Sequence, residues 1–423
     1  MEIAVILMGA LAMVMAKLSI FRWLSPSVML SGSWAIVFLL QSVFASDMYS
    51  SIYATMLIFI ITLCFSLGEI VGLQNKAIKI TFISQDALLN KCLPFKKNLK
   101  SIVVIFGVAS IIGSLEYARA LGIFDGNIIE TLLAINVIRE QIFTGEISAS
   151  LISKVGILFG YSGVVLALSY YYYYEWRWWL LLPVISILII GISQAGRAGI
   201  MIVLLQGLIT MLLKKYYINR KTMNLSGIFI PVLILMLVFY YGQLFREGFS
   251  NTDDGNFIRV AESLRAYLFG GVSAFSYYVE NFMDLGQLTF GRYSFSSLFA
   301  ALGIYSQEAG VYDQYAIISP YGETSNLYTA YRSFLDDFSL VGAILFYFLS
   351  GFFITRLYIL FITKDMVLVS VLIPALSWLV FSPMYSLTYF NSFLLSCFFP
   401  YFILRKIFTR HRKKSNIQCT SSH

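Results

Sequence analysis

Residues Ser51 to Leu73 read SIYATMLIFIITLCFSLGEIVGL and carry a single charged side chain, Glu69. About 20 apolar residues in a helix cross the hydrocarbon core of a bilayer, so this stretch predicts a transmembrane helix. The rest of the chain has the same character, because only 12% of its 423 residues are charged and the mean hydropathy is +0.78. Soluble domains average about 25% charged residues. The sequence therefore predicts an all-α polytopic integral membrane protein.

Hydropathy divides the chain into eleven predicted spans, and the pattern is compatible with ten to twelve. Lipid-facing backbone must satisfy its hydrogen bonds internally, so each span is expected to be a helix. The predicted spans are Ile3 to Met15, Ser27 to Phe44, Ser51 to Leu73, Ser101 to Ile123, Leu151 to Tyr173, Trp178 to Ala195, Gly196 to Leu213, Leu225 to Gly242, Ser339 to Phe361, Met366 to Phe381 and Leu387 to Leu404. Together they predict a single membrane domain over residues 1–423.

Orientation follows from the basic residues of the short loops, because Lys and Arg concentrate in cytoplasmic loops. Basic clusters occur between Lys76 and Lys100, between Lys214 and Lys221, and in the tail of residues 405–423. All three fall on one side under the eleven-span count. We therefore expect a cytoplasmic C-terminus and an outer N-terminus, with the first helix kept as a span because no basic region precedes it.

The outer side carries its positive charge almost entirely as arginine. Only Lys154 among the lysines is predicted to lie outside. The outer arginines are Arg119, Arg139, Arg197, Arg246, Arg259, Arg265, Arg292 and Arg332. The guanidinium group grips phosphate or carboxylate with two parallel hydrogen bonds and costs less to desolvate than ammonium. This asymmetry predicts a polyanionic ligand on the outer face. The alternative is selection against outward positive charge during insertion, but that does not explain why the remaining basic residues are arginines.

Two outer loops are longer than connectors need to be. Residues 124–150 have the apolar spacing of an amphipathic helix lying on the membrane surface. Residues 243–338 form a large loop that we expect to fold as a helical cap. Within it, Ala261 to Phe282 is apolar enough for a partly inserted helix, broken near Gly270 and Gly271.

Three other features have structural interpretations. The aromatic run from Tyr170 to Trp179 is typical of an interfacial belt. Gly156 and Gly160 predict a close helix contact. Glu116 and Arg119 are three residues apart and are expected to pair.

Several kinds of chemistry have no support in the sequence. Both histidines, His411 and His423, lie in the predicted cytoplasmic tail, and the four cysteines lack the C-x-x-C spacing of a metal site. No phosphate-binding glycine loop is present. The net charge of +8 is explained by cytoplasmic contacts with anionic lipid, so we expect membrane lipid and no nucleic acid as a partner. No cofactor or metal is expected.

A polyprenyl diphosphate sugar has the chemistry that an outer arginine cluster suits, because its diphosphate lies at headgroup depth. Glycan transfer from such a lipid requires stabilisation of the departing diphosphate, which arginine can provide. It also requires removal of a proton from the attacking hydroxyl. Without an outer histidine, a base supplied by the protein would be Asp or Glu.

The segment SNLYTAYRSFLDDFSLVGAI, from Ser325 to Ile344, resembles a motif of the Wzy-type O-antigen polymerases, the oligosaccharide repeat-unit polymerase family. The shared residues are Tyr328, Thr329, Asp337, Phe338 and Gly342. GISQAGRAGI around Arg197 and YLFGGVSAFSYYVEN after Arg265 are also similar to that family, and the hydropathy plan matches over the whole chain. The family's common Asp-Phe-Gly is here Asp337, Phe338, Ser339. Some members of the family carry an Arg, ten further residues and then a Gly in both Arg-bearing loops. Arg259 and Gly270 have this spacing, whereas the spacing of Arg197 and Gly207 is one residue short.

The resemblance implies a GT-C-like, metal-independent, polyprenyl-diphosphate-dependent glycosyltransferase of the bacterial inner membrane with a periplasmic active site. It would move a growing glycan from undecaprenyl diphosphate to the non-reducing end of a new lipid-linked repeat unit, with a chain-length regulator protein as a partner. The diphosphate-binding candidates are Arg197, Arg246 and Arg265, followed by Arg332, Tyr328 and Arg259. The base candidates are Asp337, then Asp336, Glu308 and Glu247. Each of these carboxylates is alternatively an ion-pair partner of an arginine.

Two other functions fit the same topology. An O-antigen ligase has similar spans and a different acceptor, but usually carries an outer His that this chain lacks. A lipid-linked oligosaccharide flippase would show repeat symmetry and charge in the middle of the bundle. The charge of this chain is instead predicted at one outer edge, which favours the polymerase.

Overall fold

The computed structural model describes residues 1–74, 96–122, 150–193, 198–218, 237, 255–283, 288–304, 312, 314–363 and 365–420. The chain divides into two compact units built from interleaved segments. The first unit comprises Met1–Lys79, Asp254–Leu360 and Ala375–Asn391, and the second comprises Ile80–Asp253, Phe361–Pro374 and Ser392–His423. Each unit is described separately below.

Helices account for nearly all the regular structure in the described ranges. They are α1 (Glu2–Leu18), α2 (Pro26–Phe44), α3 (Ile52–Leu73), α4 (Lys96–Ala120), α5 (Leu151–Tyr173), α6 (Leu182–Ser193), α7 (Ala198–Tyr217), α8 (Gly255–Asn281), α9 (Ser296–Ala301), α10 (Ala330–Thr363), α11 (Val369–Phe381) and α12 (Asn391–Thr420). A two-stranded antiparallel hairpin joins β1 (Ala316–Ile317) to β2 (Thr324–Ser325), pairing Ala316 with Ser325.

Seven of the described helices are long and apolar enough to cross a membrane, and Trp178–Ser193 and Val369–Phe381 are shorter apolar helices. These nine coincide with predicted spans. The first predicted span lies in α1, which has 17 residues. The predicted span from Leu225 to Gly242 lies outside the described residues except for Leu237. The chain is therefore an all-helical, multi-pass membrane protein.

Serine side chains start three of these helices. Ser25 Oγ accepts a hydrogen bond from the backbone N–H of Val28, and Pro26 occupies the first turn of α2. Ser51 starts α3 and Ser150 starts α5 in the same way. Such side chains satisfy N–H groups that have no partner within the helix, which matters most where no water can replace them.

In the first unit, glycines bring α3 and α10 into backbone contact. A Cβ atom added at Gly68 would lie 1.9 Å from the carbonyl oxygen of Phe348, and one at Gly351 would lie 2.1 Å from that of Phe65. Gly72 would meet Thr355 at 3.0 Å. Gly68 and Gly72 form a G-x-x-x-G pattern, which is typical of close helix packing in membranes.

In the second unit, glycines likewise bring the backbones of α4 and α5 into contact. A Cβ atom added at Gly156 would lie 2.5 Å from the Cα of Gly113. This confirms the packing role predicted for Gly156, and Gly160 packs on Ile187 and Ser186 of α6. Residues 194–197 separate α6 from α7 and lie outside the described ranges.

The predicted Glu116–Arg119 pair and the predicted aromatic belt both lie in described residues. Glu116 and Arg119 do pair, with 3.1 Å between Arg119 Nε and Glu116 Oε2. The aromatic run fits a belt only in part, because Trp176 and Trp178 are exposed whereas its five tyrosines are buried or half-buried. The predicted amphipathic loop of residues 124–150 lies outside the described residues except Ser150.

The predicted break at Gly270 and Gly271 is wrong, because α8 continues through both glycines. A Cβ atom at Gly270 would meet Ser325 of the hairpin at 3.3 Å, and one at Gly271 would meet the carbonyl oxygen of Met384 at 3.3 Å. The two glycines therefore let other segments pack closely on α8. Tertiary packing of this kind offsets the roughly 1 kcal/mol by which glycine disfavours a helix.

Candidate active site

Loops predicted to share one side of the membrane contact one another in the first unit. The backbone N–H of Tyr49, in the loop after α2, donates to the carbonyl oxygen of Ile318 in the hairpin at 2.8 Å. The N–H of Ala330, at the start of α10, donates to the carbonyl oxygen of Ser382 after α11 at 2.9 Å. The described parts of the large loop and two short connectors therefore form one rim of this unit.

Arg332 lies in the first turn of α10 on this rim, and only 4% of its side chain is exposed. Its guanidinium carbon lies 4.4 Å from the ring centroid of Tyr278, 3.8 Å from that of Tyr312 and 3.9 Å from that of Tyr328. A cation this close to an aromatic face is stabilised by about 2 kcal/mol when water is excluded. Three rings from α8 and two loop positions thus hold one buried positive charge.

The guanidinium of Arg332 has one nitrogen left open. Its Nε donates to Asp336 Oδ2 at 3.2 Å, and its Nη2 donates to Gln314 Oε1. Its Nη1 is buried and has no hydrogen-bond partner among the described residues. The same holds for the hydroxyl of Tyr312, whose ring lies against the guanidinium, and for that of Thr329, three residues earlier in the chain. A buried donor without a partner costs about 1–3 kcal/mol, so such groups call for an explanation. An anionic ligand oxygen would satisfy them.

Tyr312 and Tyr328, two of the tyrosines around Arg332, remain neutral. Burial raises the pKa of the Tyr312 hydroxyl well above its ordinary value, and the nearby charge of Asp336 adds to that rise. Burial also raises the pKa of Tyr328, although the charge of Arg332 opposes it. Both hydroxyls therefore keep their protons at physiological pH and serve as hydrogen-bond donors rather than as bases.

Asp336 is the carboxylate of this cluster. Its side chain is 16% exposed, so solvent and small groups reach it. The Tyr278 hydroxyl donates a hydrogen bond to Asp336 Oδ1, and Arg332 occupies Oδ2. A carboxylate in contact with both a buried cation and the surface can accept a proton from a bound hydroxyl.

Asp337 has a different environment from its neighbour. It is fully buried, and its carboxylate accepts hydrogen bonds from Thr289 Oγ1 at 2.6 Å, the Tyr293 N–H at 3.1 Å and the Ser294 N–H at 2.5 Å. These three donors all come from the loop between α8 and α9. Asp337 therefore anchors that loop, and its described partners are a threonine hydroxyl and two backbone N–H groups rather than an arginine.

A break in α10 accompanies this anchor. Ser339 has φ 62° and ψ 179°, which interrupts the helix. The carbonyl oxygens of Asp336 and Asp337 accept instead from the N–H groups of Thr289, at 3.2 Å, and Phe290, at 3.1 Å. Glycine adopts positive φ readily, whereas other residues rarely do. The backbone at this position thus favours glycine, and this chain carries serine there.

Arg265 lies on α8 in a second cluster of the same rim. Its Nη1 donates to Asp47 Oδ1 at 2.8 Å, and its Nη2 donates to Glu323 Oε2 at 3.1 Å. Burial alone would lower the pKa of Arg265, but the charges of Glu323 and Asp47 raise it above the ordinary value. The arginine ties the loop after α2 and the hairpin to α8.

The two arginines belong to separate clusters. Arg265 and Tyr278, which contacts Arg332, are thirteen positions apart on α8, or about 20 Å along the helix axis. Arg265 and Arg332 share no bonding partner in the described part of the rim. The structure therefore favours one of them over the pair for any single phosphate group. Each has one buried nitrogen without a hydrogen-bond partner among the described residues, Nη1 in Arg332 and Nε in Arg265. Both terminal nitrogens of Arg265 are already paired with carboxylates, whereas Arg332 keeps a terminal nitrogen for a phosphate oxygen.

The remaining predicted site residues cannot be placed in this geometry. Arg197, Arg246, Glu247 and Glu308 lie outside the described residues. Arg259 lies in α8, and its side chain is outside the described part. Their roles stay predictions.

Sequence reasoning missed several residues of the two clusters, namely Tyr278, Tyr312, Gln314, Asp47 and Glu323. One signal was available, because Arg332 and Asp336 are four residues apart, a spacing at which helical side chains pair. The others join the site only through chain folding, and no local pattern marks them.

No protein-family model matches this chain, and no curated protein or solved structure matches it.

Proposed function

We propose that this protein is an oligosaccharide repeat-unit polymerase, an O-antigen polymerase of the Wzy type, acting at the periplasmic face of the bacterial inner membrane. Its donor and acceptor would both be undecaprenyl-diphosphate-linked glycans, and a chain-length regulator would be a partner. The observation that carries the proposal is the buried Arg332 with its open Nη1, held on the rim of a multi-pass membrane protein.

The proposed reaction makes one glycosidic bond and breaks the bond between the donor glycan and its lipid diphosphate. A hydroxyl oxygen of the acceptor's non-reducing sugar attacks the anomeric carbon of the donor glycan. The bond from that carbon to the diphosphate oxygen breaks, and the lipid diphosphate leaves with the electron pair. The hydroxyl proton passes to Asp336 and then to solvent, so charge and atoms balance.

Arg332 would stabilise the departing diphosphate. Charge grows on the leaving oxygens as the bond breaks, and a preorganised donor in a site that excludes water stabilises that charge strongly. The Nη1 of Arg332 is such a donor, because the other two nitrogens and three tyrosine rings already fix the guanidinium plane. The guanidinium itself would keep its orientation, while the groups that cover the buried Nη1 would move aside for the phosphate oxygen.

Asp336 suits the role of base better than Asp337, the first candidate from sequence. The carboxylate of Asp337 is fully buried and accepts three hydrogen bonds from its loop, whereas Asp336 is partly exposed and borders Arg332. A base must come within hydrogen-bond reach of the hydroxyl that it deprotonates. Asp336 would then act on the attacking hydroxyl, and Arg332 would act on the departing diphosphate at the same anomeric carbon.

The test separates the polymerase from the ligase and the flippase. We expect deletion of the gene in its native host to leave lipopolysaccharide core carrying a single repeat unit on a gel. Bare core with accumulated lipid-linked polymer would instead identify a ligase. Bare core with neither an attached repeat unit nor accumulated lipid-linked polymer would identify a flippase. Either of these two results would refute the polymerase proposal.

Complementation of the deletion strain then tests the site. Arg332→Lys keeps the charge but removes the planar fork, so we expect short or absent ladders. Arg119→Lys is the matched control, because Arg119 is 70% exposed and pairs only with Glu116 in the described structure, and we expect full-length ladders from it. Full-length ladders from Arg332→Lys at equal protein levels would remove Arg332 from the proposal.

A further inference from the structure

We propose that Tyr278 is a positioning residue for Asp336, and that its hydroxyl holds the carboxylate in the orientation and charge state needed to accept a proton. This inference rests on the proposed function and extends it to a residue of α8. It concerns the hydroxyl oxygen alone, since the ring of Tyr278 has a separate packing role.

The position of the Tyr278 hydroxyl is fixed by its surroundings. The residue is 2% exposed. Its ring stacks on Phe275, one turn earlier in α8, at a centroid distance of 6.1 Å and an interplanar angle of 29°. It also meets the Tyr328 ring edge-on at 6.4 Å and lies against the Arg332 guanidinium. A ring held on three sides has little freedom to move its hydroxyl away from Asp336.

The two oxygens of Asp336 consequently have different partners. Oδ1 accepts from the Tyr278 hydroxyl and Oδ2 accepts from Arg332 Nε. Each oxygen of a carboxylate can accept a second hydrogen bond, so both retain the capacity to accept one from the acceptor sugar's hydroxyl. Because Tyr278 bonds to Oδ1 from α8 and Arg332 bonds to Oδ2 from α10, the plane of the carboxylate is set before substrate arrives.

Burial raises the pKa of the Asp336 carboxyl, and the charge of Arg332 and the hydrogen bond from Tyr278 oppose that rise, because a hydrogen bond donated to a carboxylate stabilises its charge. The charged and titratable groups facing Asp336 are Arg332 and Asp337 from its own helix, Tyr278 from α8, and Tyr312 and Tyr328 from the loops. Of these, Tyr278 can lose its hydrogen bond to Asp336 through the removal of one oxygen atom. Arg332 cannot be changed so selectively.

The experiment uses the full-length protein in lipid nanodiscs with lipid-linked repeat units extracted from the deletion strain. Polymer formation is measured against pH for the wild type, Tyr278→Phe and Tyr277→Phe. Tyr277 is the matched control, because its ring packs against Tyr49 and Phe282 and the same oxygen is removed. The pH at which the rate is half-maximal on the acid side is independent of how much protein has folded.

For Tyr278→Phe we expect a roughly tenfold lower rate at neutral pH and an acid limb displaced to higher pH by about one unit. The displacement is upward because loss of the donor favours protonated Asp336, and the protonated form cannot act as a base. Tyr277→Phe should keep the wild-type profile.

Three results would count against the inference, and only one of them would also refute the proposed function. An active Tyr278→Phe variant with the wild-type acid limb would refute the role of Tyr278 and leave the proposed function standing. A wild-type protein that forms no polymer at any pH would refute the proposed function, and the role of Tyr278 with it. A lower rate with an unmoved acid limb would indicate only a packing effect and would also count against the proposal.

Discussion

Ser339→Gly is expected to stabilise this protein, although it removes side-chain atoms from a membrane helix. Ser339 has φ 62° and ψ 179°, a region that only glycine occupies without strain. A non-glycine residue held there costs about 1–3 kcal/mol. Glycine gives back about 0.4–1 kcal/mol through the greater freedom of the unfolded chain. The difference is a gain of about 1 kcal/mol, or roughly fivefold in the folding equilibrium.

The gain should survive in the folded protein because the break does not depend on the serine side chain. The carbonyl oxygens freed by the break accept hydrogen bonds from the N–H groups of Thr289 and Phe290, and both bonds are made by the backbone. The carboxylate of Asp337 holds the same loop in place. Glycine at position 339 leaves all of these contacts unchanged.

The assay is chemical unfolding of the purified protein in detergent micelles, followed by the fluorescence of its six tryptophans. Ser350→Gly is the matched control, since Ser350 lies in the regular part of the same helix and should become less stable by roughly 0.5 kcal/mol. If Ser339→Gly is no more stable than the wild type while Ser350→Gly loses stability, the left-handed backbone at position 339 is refuted.

Two further pairs of variants separate structural from functional residues. Asp337→Asn should lose about 3 kcal/mol of stability, because an amide nitrogen cannot accept the hydrogen bonds that the buried carboxylate accepts. Asp336→Asn should abolish polymer formation at a melting temperature close to that of the wild type. If Asp336→Asn were the unstable variant and Asp337→Asn the stable, inactive one, the two residues would exchange roles. Gly68→Ala should lose at least 3 kcal/mol of stability or fail to accumulate, because its Cβ would lie 1.9 Å from a backbone oxygen. Gly9→Ala in α1 is the control, since its Cβ would meet nothing within 4 Å, and this variant should be at least as stable as the wild type. Equal stability of the two variants by thermal unfolding in detergent would contradict the close contact of α3 and α10.

The sequence alone predicted the helices, because their determinants are local. Hydropathy over about 20 residues marks a helix that can cross a bilayer, and each described span coincides with an apolar helix. The charge pattern grouped loops on one side, and within the first unit the loop after α2, the hairpin and the segment after α11 do lie together. The pairing of Glu116 with Arg119 depends on a spacing of three residues and was equally accessible.

Only the tertiary structure decided which charged residues meet. Asp336 and Asp337 are adjacent in sequence, yet one borders the buried Arg332 and the other anchors a loop, because successive helical side chains point about 100° apart. Tyr278 reaches Asp336 across 58 residues. Contacts at that separation depend on how helices pack, and the apolar pattern that forms each helix carries little information about its neighbours. Hydropathy thus determined the spans of this protein, whereas the packing of α8, α10 and their loops determined its candidate site.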